Sequence, residues 1–112
     1  MTLNEYQVKA ARTMNKEING GDTFMHGLFG IVSEIGEITG IIQKYYQGHK
    51  IDWDHFIEEM GDALWMLAEI CTSIGADLED VAERNIKKLL ERYPDGFDPN
   101  RSIFREEVLE DD

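Results

Sequence analysis

The sequence predicts an all-α fold: one compact domain of four helices that shares its core with further copies of itself. Three observations carry this. Four segments repeat apolar residues at helical spacing, with Gly, Asn, Asp or Pro between them. The second and third segments each hold the pattern acid, apolar residue, glycine, acid, as Glu34-Ile35-Gly36-Glu37 and Glu59-Met60-Gly61-Asp62. And 112 residues make a small domain with many apolar segments for its surface, which predicts a homo-oligomer, dimer or tetramer.

Thr2-Leu3-Asn4-Glu5 reads as a capping box, with Leu3, Tyr6, Ala10, Ala11 and Met14 as the apolar side of a first helix over 3–17. Asn19-Gly20-Gly21-Asp22 is a break. The second helix starts near Asp22 or Thr23 and ends before Gly48. Its apolar residues wrap most of its circumference, so it is expected to be buried. Gly30, Gly36 and Gly40 each weaken it by about 1 kcal/mol relative to Ala, so close helix packing is expected at them. Gly36 and Gly61, central to the acid pairs, are expected to bring the two backbones together.

Asp52 is the expected N-cap of a third helix running to about Ile74, before Gly75. Phe56, Met60, Ala63, Leu67, Ile70 and Ile74 form its expected core stripe. Glu58, Asp62, Trp65 and Glu69 share another side, bordered by Glu59, His55 and Met66. Asp77 is the expected cap of a fourth helix over 78–92, which Pro94 and the Asp95-Gly96 turn end. Its apolar side has Asn85 in its middle, where an unsatisfied amide costs on the order of 1–3 kcal/mol. The fourth helix closes the domain at residue 97, and 98–112 form an acidic tail, partly ordered with a frayed end.

The net charge of −12, from 11 basic and 23 acidic residues, argues against non-specific binding to nucleic acid or to an anionic membrane. Acids interrupt the long apolar runs, so no membrane-spanning helix is expected. The start M-T-L-N-E-Y-Q is polar, unlike a secretory signal. A lone cysteine, Cys71, excludes an internal disulfide framework. A reducing, cytoplasmic setting is the expectation.

No Lys or Arg lies between Met25 and Gln43 to balance Glu34 and Glu37. Two acids three residues apart fall on one side of a helix, and unpaired anions are costly in so apolar a segment. A divalent metal is the natural compensation. Glu34, Glu37, Glu59 and Asp62, from two facing helices, make an all-oxygen set that suits Mg²⁺, with Mn²⁺ as a substitute, better than zinc. The Glu-x-x-His pairs of a di-iron bundle are missing, as are a P-loop and a G-x-G-x-x-G loop. What remains is Mg²⁺-assisted chemistry on a phosphorylated small molecule. Lys44, two turns beyond Glu37, either snorkels at the surface or contacts phosphate. Asn85, Lys88 and Arg92, on one flank, either serve the core or hold a phosphate chain.

The E-x-x-E and E-x-x-D motifs resemble those of the MazG-like, all-α nucleoside triphosphate pyrophosphohydrolases. So do E-E-M-G-D-A-L-W-M-L-A and the downstream N-x-x-K-L-x-x-R-Y-P-x-G-F, from Asn85 to Phe97. The resemblance spans about residues 3–97. It implies hydrolysis of a (deoxy)nucleoside triphosphate at the α–β anhydride, a housecleaning role, and a dimer or tetramer. By position it makes Glu34, Glu37, Glu59 and Asp62 the Mg²⁺ ligands, with one of these or Glu58 as base for the attacking water. It turns Asn85 and Lys88 toward the substrate, and Arg92 matches a motif position. The rival readings are a phosphoribosyl-ATP pyrophosphohydrolase and a non-catalytic acidic interaction module.

Overall fold

In a computed structural model, residues 1–104 are described, and the end of the expected tail, 105–112, lies outside them. The elements are α1 (Leu3–Ala11), α2 (Gly20–Tyr46), α3 (Trp53–Ser73), α4 (Leu78–Arg92) and α5 (Pro99–Ile103), with no strand among the described residues.

The capping box of α1 is present: Thr2 Oγ1 accepts from the Glu5 N–H, and the Thr2 N–H donates to Glu5 Oε1, both at 3.1 Å. The helix stops at Ala11, not at 17. Past it, polar side chains compete for the backbone: the Thr13 hydroxyl donates to the Ala10 carbonyl, and Asn15 Oδ1 accepts from the Glu17 N–H. The start of α2 also differs from expectation. Asn19 caps it by accepting from the Asp22 N–H at 2.8 Å, while its amide donates to the Asp22 carboxylate. That exchange holds Gly20 and Gly21 in the first turn. The other ends fall close to where the punctuation places them. Gly48 follows α2 with φ +98°, and Gly75 follows α3 with φ +71°. Asp52 caps α3, accepting from the His55 N–H at 3.2 Å.

The chain divides into two compact units, Met1–Leu78 and a second beginning at Glu79. In the first, α3 packs against both α1 and α2. Ala68, Cys71 and Leu78 form the buried core, with Leu3, Tyr6, Ala10, Leu64 and Ala76 against it. A buried polar residue, Gln7, joins the two ends of this layer. Its amide donates to the Ala76 carbonyl and to Thr72 Oγ1, and its Oε1 accepts from the Leu78 N–H at 2.6 Å.

On its other side, α3 meets α2 at two glycines. A Cβ on Gly27 would lie 2.7 Å from the Ile70 side chain, and one on Gly30 would overlap Met66. Gly36, Gly40 and Gly61 have open space where a Cβ would go, so the expectation that they bring helices together does not hold within one chain. The expected core stripe of α3 is also displaced. Met66, Ala68, Glu69 and Cys71 are buried, whereas Met60, Leu67 and Ile74 are exposed. The reason is that α1 and α2 cover two adjoining sides of α3 and leave the third uncovered.

Nor is α2 buried as expected: of its residues only Thr23 and Gly27 are. Phe29 and Val32 are about 70% exposed. By length and composition alone α2 could cross a bilayer, with mean hydropathy 1.2 over its most apolar stretch. Glu34 and Glu37 within it would be costly there.

In the second unit, α5 starts within the expected tail, with Asp98 accepting from the Asn100 N–H and Pro99 in the first turn. Arg101 donates from Nε to the Arg92 carbonyl and from Nη2 to that of Glu91, satisfying carbonyls at the end of α4. Tyr93 packs on Phe97, ring centres 5.4 Å apart.

Candidate functional site

Three of the four acids meet. Oxygens of Glu34, from α2, and of Glu59 and Asp62, from α3, all lie within 4.8 Å of one another. The contacts of Gly27 with Ile70 and of Gly30 with Met66 fix how α2 lies on α3. Glu34 is one turn beyond Gly30, and Asp62 one turn before Met66, so the same packing sets these side chains opposite each other. Glu34 and Glu59 are half-buried.

The crowding leaves an electrostatic mark. The Glu34 carboxyl is raised above its ordinary range, first by its partial desolvation, then by a hydrogen bond with Glu59, then by the charges of Asp62, Glu59 and Glu37. All these causes favour the protonated form, and no ion pair among the described residues gives Glu34 a basic partner. Asp62 also touches the first helix electrostatically: the Tyr6 hydroxyl is pushed up by burial and then by the Asp62 charge.

Glu37 is not in the three-acid group. It lines a cavity with Lys44, between the last turns of α2 and the start of α3. Glu58 also stands apart, with its side chain 77% exposed and 3.8 Å from His55 Nδ1. The same imidazole, through Nε2, lies 3.7 Å from Glu59 Oε1. Asn85, Lys88 and Arg92 follow one another along α4, in the second unit. Asn85 is exposed there, so no buried-amide cost arises within one chain. Cys71 is no nucleophile: it is buried, and burial, then the charge of Asp77, pushes its thiol up.

A family model, the MazG nucleotide pyrophosphohydrolase domain, matches residues 22–97. The chain belongs to this family. Every residue singled out above for metal or substrate lies within the matched MazG segment. The chain is also similar to the Gene 37 protein of Mycobacterium phage L5, 28% identical over 105 residues that cover 86% of this chain and 92% of that one. No solved structure matches.

The donor chemistry fits a divalent cation. Three carboxylates gather with no Lys or Arg paired to them among the described residues, all hard oxygen ligands, and their mutual repulsion is what such an ion relieves. Sequence reasoning missed the side chains beyond Lys44 that line the cavity beside Glu37 and can donate to an anion, namely His49 and Lys50. The available signal was their adjacency in a turn directly between the two acid-bearing helices. A second omission is Glu69, placed by spacing on the acid flank. It is buried and 2.9 Å from His26 Nδ1, a tie between α3 and α2.

Proposed function

We propose that this MazG-family chain hydrolyses (deoxy)nucleoside triphosphates at the α–β anhydride, giving nucleoside monophosphate and pyrophosphate in nucleotide-pool housecleaning. The observation that supports this is the convergence of Glu34, Glu59 and Asp62 from two helices of a MazG domain. These three, with Glu37 one turn beyond Glu34, would hold Mg²⁺ or, as a substitute, Mn²⁺. When bound, such an ion neutralises phosphate oxygens and makes a coordinated water more acidic.

In the reaction, a water oxygen bonds to a phosphorus of the α–β anhydride, and the bridging P–O bond breaks. One proton leaves the water, and the fragment opposite the attacked phosphorus departs with the bridging oxygen and the bond's electron pair: pyrophosphate for attack at the α-phosphorus, the monophosphate for attack at β. A carboxylate takes that proton. Glu58, outside the three-acid group, is the candidate least committed to the ion. Lys44, Asn85, Lys88 and Arg92 are the proposed substrate contacts. The active species is a cytoplasmic homodimer or homotetramer, because α2 and α3 expose apolar residues that a second copy would cover.

The test is pyrophosphate release from a panel of ribo- and deoxyribonucleoside triphosphates and phosphoribosyl-ATP, with and without Mg²⁺. Metal-dependent release is expected. In Glu34→Gln and Asp62→Asn it should fall by about a hundredfold or more while helical content is kept. Turnover of phosphoribosyl-ATP alone would move the assignment to that substrate. Silence across the panel from a folded protein, with Mn²⁺ also tried, would overturn the hydrolase reading in favour of an interaction module.

A further inference from the structure

The cavity beside Glu37 has a chemistry of its own. The last turns of α2, the turn at Gly48 and the first turn of α3 enclose about 300 Å³, lined by Glu37, Lys44, His49, Lys50, Asp52 and His55 among others. Two lysines and two imidazoles thus gather in a chain of net charge −12 with only 11 Lys and Arg. Part of the wall is Gly36 and Gly40, where a Cβ would meet nothing within 4 Å, so backbone is open to an incoming group. The volume lies at the low end of small-molecule sites, roughly 300–1,000 Å³. That is room for a phosphate chain with its ion rather than for a whole nucleotide.

Two residues join this cavity to the three-acid group. Glu37 lines it, and its charge acts on Glu34. His55 lines it as well, with Nε2 at 3.7 Å from Glu59 Oε1. A phosphate seated here is therefore next to the acids proposed to hold the metal.

We propose that this cavity receives the terminal diphosphate of the nucleotide, with Lys44 and Lys50 as charge partners and His49 as a hydrogen-bond donor. This rests on reading the three-acid group as a nucleotide-hydrolysing centre. Lysine ammonium groups supply point charges and rotatable donors to phosphate oxygens. Glu37 and Asp52 stand on the same walls and repel a bare anion, so the diphosphate enters with its divalent cation. The cavity thereby selects for the terminal phosphates: a nucleoside diphosphate, with one phosphate beyond the anhydride, fills it only in part.

The test is calorimetric titration of pyrophosphate into the full-length protein, with and without Mg²⁺. Wild type, Lys44→Ala/Lys50→Ala and the equal-charge control Lys9→Ala/Lys16→Ala are compared. All four lysines lie on the surface of the chain, so folding should be kept, and Lys50→Gln alone carries the test if the double variant unfolds. Expected is Mg²⁺-dependent binding to wild type and to the control, weakened at least about tenfold without Lys44 and Lys50. Equal affinity in all three proteins, or no binding to wild type, overturns the proposal. Binding does not require turnover, so the two readings fail separately. An active enzyme whose pyrophosphate affinity ignores Lys44 and Lys50 loses this cavity but remains a hydrolase. A protein silent on every triphosphate that still binds Mg²⁺-pyrophosphate through them keeps the cavity and loses the hydrolase.

Discussion

At the scale of single residues, Glu34 is where the fold and the proposed chemistry conflict. Its carboxyl is held above the ordinary range by desolvation, by Glu59 and by the charges around it. An acid whose pKa is raised on folding binds more protons folded than unfolded between the two pKa values. Its contribution to stability is therefore present at low pH and is lost as pH rises through the folded pKa. In metal-free protein, wild type should lose stability relative to Glu34→Gln as pH climbs from the ordinary carboxylate range toward neutrality. Paired thermal melts in a chelating buffer read that difference directly, and the subtraction removes the general repulsion of a chain at −12. Added Mg²⁺ should raise the wild-type midpoint at neutral pH and leave Glu34→Gln nearly unmoved. Parallel pH profiles for the two proteins would mean that Glu34 is not crowded as described. The acid pairs were legible at this scale because carboxylates in an apolar helix without cations are anomalous. Glu69 was placed on the acid flank and Gln7 was passed over, because helical spacing gives a residue's direction and not what lies there. Glu69 meets His26, and Gln7 meets three groups at the end of α3.

At the scale of elements, the α2–α3 pair is set by glycines other than the ones the acid motif suggests. Gly27 faces Ile70, whose Cγ1 would lie 2.7 Å from an added Cβ, so this stiff β-branched side chain would have to give way. Gly27→Ala should lower stability by about 1–3 kcal/mol through overpacking, less the roughly 1 kcal/mol that Ala contributes as a helix former. Gly61→Ala meets nothing within the chain and should be neutral or stabilising by up to about 1 kcal/mol. For a domain near this size, each kcal/mol corresponds to about 4–8 °C in Tm. A destabilised Gly61→Ala would show that a second copy packs against that site. Helix ends were readable where a single residue type decides them, as at Thr2, Asp52, Gly48 and Gly75. They were misjudged at residues 12–19, where Thr13, Asn15 and Asn19 hydrogen bonds outweigh the apolar spacing of Met14 and the glycine pair.

At the scale of the whole molecule, what is missing from the core argues for association. The sequence holds enough apolar residues for four buried helices, yet one chain buries few of them: Phe29 and Val32 on α2, and Met60, Leu67 and Ile74 on α3, remain 42–70% exposed. Met60, Leu67 and Ile74 are seven residues apart and so form a continuous stripe, the expected core of α3 without its cover. The sequence reading placed these residues in a core shared with further copies, and within one chain they stand exposed. Scattered exposed apolar residues need no partner, but a stripe does. We therefore expect a species larger than 12.9 kDa by light scattering. Leu67→Glu should reduce it to monomer, because a charge in an apolar interface is costly to desolvate. Phe29→Glu tests the α2 side in the same way. The self-repulsion of so acidic a chain makes association salt-dependent: dissociation on dilution should be easiest at low ionic strength and suppressed by added salt. A wild-type monomer at every salt concentration would leave the stripe without a cover from its own kind and would remove the homo-oligomer from the proposal.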